Sequence, residues 1–184
     1  MFIGEGLNED SKGSDIMRLS LDKIDALVFD FDGVLTDNHV YINQDGNEWV
    51  RCNRSDGLGF NALTKLKKPT YILSSEKNPV VSARGKKLNI PVIQNVSNKL
   101  TALNNLISAN NYSLKRILYV GNDLNDFHAM SNCGYSACPA DSHSKIKQIA
   151  TFILNTKGGM GIVREILENL LEQDIMYILY GKNN

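Results

Sequence analysis

Asp30 and Asp32 stand one residue apart in the stretch ALVFDFDGVLTD, directly behind an apolar run and directly before Gly33. Two crowded carboxylates repel, and one takes up a proton at neutral pH unless something offsets the charge. A divalent cation would offset it. Residues i and i+2 of a strand point the same way, so both carboxylates can face one site, and the glycine lets the chain turn closely around a ligand. A hard cation such as Mg²⁺ is held by one or two carboxylates together with water and phosphate oxygens. Asp-x-Asp by itself equally describes a solvated strand end. Further polar groups after later apolar runs strengthen the chemical reading: Ser74, Lys99 and the pair Asn122-Asp123.

Such groups meet only if the elements before them lie side by side. DALVFDF, TYILSS, IPVIQN, RILYVGND, YSACPA and TFILN read as short buried strands. Between them lie helical stretches. Leu58, Ala62, Leu63 and Leu66 share one face of the first; Asn78 and Pro79 supply the N-cap and first position of the second; Ser97 caps the third. NHVYINQDGNEWVRCN predicts a hairpin about Asp45-Gly46, and a final helix is expected from about Gly161 through IVREILENLLEQ, followed by a tail. Alternating strands and helices predict an α/β, Rossmann-like doubly wound parallel sheet with a β-hairpin insertion. Ligands of such sheets bind beyond the carboxyl ends of the strands, where the polar groups fall. Residues 1–20 lack periodicity and are read as a flexible arm, leaving 21–184 as a single domain.

Composition excludes other classes. The 184 residues, 42% hydrophobic and 22% charged, suit one ordinary domain. Lys plus Arg balances Asp plus Glu at 20 each, so neither a nucleic acid nor a membrane surface is an expected partner. Three cysteines without CxxC spacing suggest neither a disulfide framework nor a zinc site, and no apolar run reaches bilayer length. A cytoplasmic protein is expected.

DFDGVLTD resembles motif I of the haloacid dehalogenase superfamily, and YILSS, SNKL and YVGNDLND resemble motifs II, III and IV in order. The resemblance implies a Mg²⁺-dependent phosphatase. Asp30 would be the nucleophile that forms an aspartyl phosphate, Asp32 the general acid and base, Ser74 a donor to the phosphoryl group, and Lys99 the cation beside Asp30 and phosphate. Metal ligands would be Asp30, Asp32 and Asn122, with Asp123 or Asp126 assisting. Asn122 stands where many relatives carry Asp, which removes one charge from the metal shell.

The short stretches from Thr36 to Ser74 and from Ser74 to Lys99 leave no room for a cap domain. The chain therefore resembles the capless group of 3-deoxy-D-manno-octulosonate 8-phosphate phosphatases, enzymes of lipopolysaccharide sugar acid synthesis, whose hairpins build a homotetramer in which neighbours close each site. NRSDGLGF and KGGMGIVREIL are similar to segments of that group. Glu76 after Ser74-Ser75, with Lys87 later, is more similar to phosphatases of nine-carbon, sialic-acid-like nonulosonate 9-phosphates. The expected substrate-binding set is Asp32, Arg54, Asp56, Gly57, Ser74, Ser75, Glu76, Lys87 and Lys99, acting on a small keto-deoxy sugar-acid phosphate. Two alternatives stand beside the nonulosonate reading: the octulosonate 8-phosphate, and a non-catalytic tetramerisation module related to the C-terminal domain of acylneuraminate cytidylyltransferases. Gly158, Gly159 and Gly161 read either as a glycine-rich helix start or as backbone that wraps a sugar.

Overall fold

The run Ala26–Phe29 (β1) has no polar side chain, and such a strand is stable only where both its faces are covered. In the computed structural model, which describes residues 19–181, the chain then makes hairpin strands Thr36–Ile42 (β2) and Glu48–Cys52 (β3) and helix Arg54–Lys65 (α1). Thr70–Leu73 (β4), Val80–Leu88 (α2), Val92–Ile93 (β5) and Lys99–Asn110 (α3) follow. The second half comprises Ile117–Val120 (β6), Phe127–Asn132 (α4), Tyr135–Cys138 (β7), Ser144–Ile149 (α5), Phe152–Ile153 (β8), Ile162–Glu165 (α6) and Ile175–Tyr180 (α7).

Six strands form one parallel sheet in the order β5-β4-β1-β6-β7-β8, and the hairpin stands apart from it. The expected doubly wound α/β architecture is therefore present. Alternation along the strands divides the core into two layers. Leu27, Phe29, Leu118 and Val120 point to the side covered by α1 and α6, while Ala26, Val28, Ile117 and Tyr119 point to the side of α3, α4 and α5. The chain leaves β1 for β4 and β5 on one side, then returns to β6 on the other. That reversal opens a crevice at the carboxyl ends of β1, β4 and β6. Between β1 and β6 only the hairpin, the helices α1 to α3, the two sheet strands and a 3-10 turn at Leu114–Arg116 intervene, so no cap domain is inserted there.

Local details depart from the sequence reading. Asn98, not Ser97, caps α3, its Oδ1 accepting from the Thr101 N–H at 3.0 Å. Helix α2 starts at Val80, one residue later than expected, with Asn78 Oδ1 accepting from its N–H. The expected long final helix is broken. α6 widens into a π-helical segment at Ile166–Leu170, Glu172 takes a left-handed conformation, and Asp174 starts α7 by accepting from Tyr177 N–H. The tail expected beyond it is thus helical as far as Tyr180. Most of the N-terminal arm, residues 1–18, lies outside the described residues. Leu19, assigned to that arm, is buried in the core and its N–H meets Leu170 O.

Phe60 of α1 is fully buried and meets Phe29 edge-on, with ring centroids 5.4 Å apart. Phe60→Ala leaves a cavity that rigid strands cannot close, and should lower the unfolding free energy by about 3–5 kcal/mol in urea titrations. A loss below about 1 kcal/mol would mean that the layer between α1 and the sheet is loosely packed.

Candidate active site

Asp30 follows the last residue of β1, and its N–H donates to Val120 O, the final carbonyl of β6. The next residues form a tight turn in which the N–H groups of Val34, Leu35 and Thr36 converge on Phe31 O, while Phe31, Val34 and Leu35 bury their side chains. This turn is anchored in the core, with Asp30 and Thr36 buried and Asp32 partly exposed. Thr36 ties it together: Oγ1 accepts from the N–H groups of Gly33 and Asn38 and lies 3.4 Å from Asp32 Oδ1, to which it donates. Gly33 has φ of +76°, and a Cβ there would lie 1.9 Å from Asn122 Nδ2. A side chain there would strain the backbone and displace Asn122.

Below the turn lies a buried charge cluster. Lys99, the first residue of α3, places Nζ 2.7 Å from Asp30 Oδ1 and 2.7 Å from Asp126 Oδ1. Asp126 also receives the Tyr119 hydroxyl on Oδ1 and the Asn122 N–H on Oδ2, each at 2.9 Å. Burial disfavours the Lys99 charge, but the Asp30 and Asp126 carboxylates outweigh it and hold the pKa above its ordinary value. Burial, followed by the Asp126 charge, pushes the Asp30 carboxyl up, against the pull of Lys99. The Asp32 carboxyl is also raised, first by burial and then by the negative charge of Glu76.

Asp30, Asp32, Ser74, Ser75, Asn122 and Asp123 line one cleft of about 330 Å³, beside Asn38, Leu124 and Asn125. Ser74 is buried, and its Oγ accepts from Glu76 N–H, which leaves the hydroxyl proton free to donate into the cleft. Asn122 Oδ1 is buried without a hydrogen-bond partner among the described residues. An orphaned amide oxygen beside a carboxylate suits a hard cation, so Asp30 and Asn122 fit the expected metal, with Asp32 at the same cleft. Among the described residues no three His, Cys, Asp or Glu side chains form a metal-holding group.

Other expected site residues lie elsewhere. Arg54, Gly57 and Lys87 line a second cavity together with Arg84. Glu76 does not line the cleft; its Oε1 accepts from the N–H groups of Lys77 and Asn78, and its charge reaches the cleft through Asp32. Asp56 faces neither space. It is 2% exposed, and its Oδ1 accepts from Val163 N–H at 2.9 Å, fastening α6 to α1, while Oδ2 has no partner among the described residues. Gly158 and Gly159 press on the backbone of Gly33, Thr36 and Asp37 and do not wrap the cleft. Sequence reasoning missed Asn38, Leu124 and Asn125 in the lining and the central place of Asp126. The last has a signal: an Asp four residues beyond Asn122 returns to that residue's own N–H.

A family model for haloacid dehalogenase-like hydrolases matches residues 58–167. The chain is 32% identical over 159 residues to the 3-deoxy-D-manno-octulosonate 8-phosphate phosphatase of Escherichia coli strain B, covering 86% of this chain and 84% of that one. A Streptomyces avermitilis crystal structure described as a HAD family hydrolase superposes with a TM-score of 0.83 at 39% identity, covering 86% of this chain and 97% of the other. The Moraxella catarrhalis 3-deoxy-D-manno-octulosonate 8-phosphate phosphatase, solved with magnesium ion, phosphate ion and KDO, gives 0.80 at 29% identity over 85% and 91%.

Burial raises the Asp56 carboxyl from 3.8 to about 6. Because the folded state holds this proton more tightly than the unfolded state, stability is full below the unfolded value and falls as pH rises through 6. Asn keeps an acceptor for Val163 N–H and does not titrate. The stability gap in favour of Asp56→Asn should therefore widen by up to ~3 kcal/mol between pH 4 and pH 7.5 in denaturant unfolding. A gap independent of pH would show that Asp56 is ionised at little cost.

Proposed function

This chain belongs to the haloacid dehalogenase-like hydrolases and is a phosphomonoester hydrolase, and we propose that it removes the phosphate of a nonulosonate 9-phosphate, a nine-carbon keto-deoxy sugar acid, with Mg²⁺ as cofactor. The observation that carries the substrate assignment is Glu76. Its carboxylate stands on the loop after β4 near Asp32, and no hydrogen bond reaches its Oε2 among the described residues. A negative acceptor just outside the cleft lining suits the hydroxyl or N-acyl amide protons of a substrate that extends beyond the phosphate site. The polyol and acylamino groups of nonulosonates carry such protons. The octulosonate 8-phosphate is the second reading, supported by the relatives of that activity.

In the proposed reaction an Asp30 carboxylate oxygen attacks phosphorus and the bond to the sugar oxygen breaks, giving an aspartyl phosphate. Asp32 gives its proton to the departing oxygen and later takes one from the water that attacks phosphorus, as the bond from phosphorus to the Asp30 oxygen breaks and inorganic phosphate leaves. The upward push on its carboxyl favours the protonated form that the first step needs. Ser74 donates to a phosphoryl oxygen, and Lys99 balances the charge beside Asp30. Asp30, Asn122 and Asp32 would hold Mg²⁺, which would supply neutralisation of the negative charge on the phosphoryl group.

The cleft lining contains no Lys or Arg for a sugar carboxylate, whereas Arg54 and Lys87 share the second cavity. A homotetramer reconciles the two, because a neighbour can present its cationic cavity to this cleft. Supporting that assembly, the hairpin exposes Ile42 at 68% and Trp49 at 61%, besides Val40 and Tyr41, more apolar surface than an isolated hairpin tolerates in water. No helix among the described residues is long and apolar enough to cross a membrane. Cytoplasmic placement is part of this reading and fits the three free thiols.

Phosphate release from purified sugar-acid phosphates tests the assignment. The nonulosonate 9-phosphate should show the higher kcat/KM, and Glu76→Ala should lower it about 10- to 100-fold with p-nitrophenyl phosphate nearly unchanged. Asp30→Asn should stop release from both. Preference for the octulosonate ester would move the assignment to the second reading. Val40→Asp with Ile42→Asp should give species smaller than a tetramer by light scattering, with sugar-acid phosphate hydrolysis lost more severely than p-nitrophenyl phosphate hydrolysis. A fully active wild-type monomer would sink the assembly.

A further inference from the structure

The backbone from Asn155 to Gly161 crosses the outside of the turn that carries Asp32, closer than any side chain would permit. A Cβ on Gly158 would lie 2.1 Å from Gly33 O, and one on Gly159, where φ is +68°, would lie 2.4 Å from Asp37 N. The Gly159 N–H donates to Val34 O at 2.9 Å. This strap is itself held by carboxylates. Asp141 Oδ1 accepts from Gly158 N–H at 2.9 Å, and the two oxygens of Glu165 accept from the N–H groups of Asn155 and Thr156, each at 2.8 Å. None of these residues lines the cleft.

We infer that the strap is a positioning element for proton transfer: it clamps the Gly33–Asp37 turn from behind so that Thr36 holds the Asp32 carboxyl toward the leaving oxygen. The geometry explains why side chains are absent at the crossing. Phe31, Val34 and Leu35 fix the inner side of the turn in the core, while the outer side has the strap against it. Thr36 lies between them, its Oγ1 engaged with Asp32 and its backbone carbonyl beside Gly158 and Gly159. Pushing the strap outward, or freeing it from Asp141, loosens the support of Thr36 without touching Asp30, Ser74 or Lys99.

This inference rests on Asp32 acting as the general acid, and leaving-group dependence separates the two claims. p-Nitrophenolate is a weak base that departs without a proton, whereas phenolate and p-methoxyphenolate gain progressively more from one. The experiment measures kcat/KM for p-nitrophenyl, phenyl and p-methoxyphenyl phosphates with the wild type, Asp32→Asn, Gly158→Ala and Asp141→Ala. Asp32→Asn should steepen the dependence on leaving-group basicity. The two strap variants should steepen it in the same sense, phenyl phosphate losing at least about tenfold more than p-nitrophenyl phosphate. Asp141 is exposed, so Asp141→Ala carries the test if Gly158→Ala does not fold. Parallel losses on all three esters in the strap variants, with Asp32→Asn steepened, would overturn the positioning role. No steepening in Asp32→Asn would overturn the acid assignment, and the inference with it.

Discussion

Lys99 lies almost wholly out of solvent with its ammonium nitrogen 2.7 Å from a carboxylate oxygen of Asp30 and 2.7 Å from one of Asp126, and much of the structure serves that arrangement. Burying three charges is costly unless geometry and hydrogen bonding are nearly complete, and removing one partner of a buried pair typically costs about 3–5 kcal/mol. The Tyr119 hydroxyl and the Asn122 N–H satisfy Asp126; the Phe31 N–H satisfies Asp30. Two carboxylates against one ammonium leave a negative excess at the cleft floor. That excess would favour a bound cation, and the buried Asn122 Oδ1, without a hydrogen-bond partner among the described residues, is a further oxygen that could serve one.

The cluster dictates topology as well. Its members come from the end of β1, the start of α3 and the loop after β6, segments that meet only because the strand order reverses about β1. Pairing of β1 with both β4 and β6 sets the distances, and the buried layers on each face keep the strands from sliding. Precision at the site is thus inherited from the sheet. The hairpin contributes no strand to the sheet, and its Val40, Tyr41, Ile42 and Trp49 side chains lie exposed outside the core.

Most of this architecture was legible in the amino-acid order. Apolar β-branched runs between helical stretches announce a parallel sheet; Asp30 and Ser74 each follow such a run directly, and Asn122 follows one after Gly121. What escaped reading was contact between distant segments. Asp56 lies in a polar stretch and reads as ligand-facing, yet it fastens Val163, a partner more than a hundred residues away in sequence. Glycines at 158 and 159 announce a close approach without saying to what. The break after Leu170 was hidden because the periodic apolar pattern from Ile162 continues through the π-helical segment, and the Asp174 cap is a weak local signal beside it. Ser97 and Asn98 are both good caps, and only the backbone conformation chooses between them.

The central position of β1 also bears on how the chain is made. This strand leaves the ribosome early, but its two partners are residues 70–73 and 117–120, and the second is separated from it by most of the domain. At ~5–20 residues per second, on the order of ten seconds pass between synthesis of β1 and synthesis of β6. Through that interval a wholly apolar strand has an unpaired edge, the kind of surface that recruits chaperones or other nascent chains. The arrangement that buries β1 on both faces in the finished protein therefore leaves it vulnerable during biosynthesis.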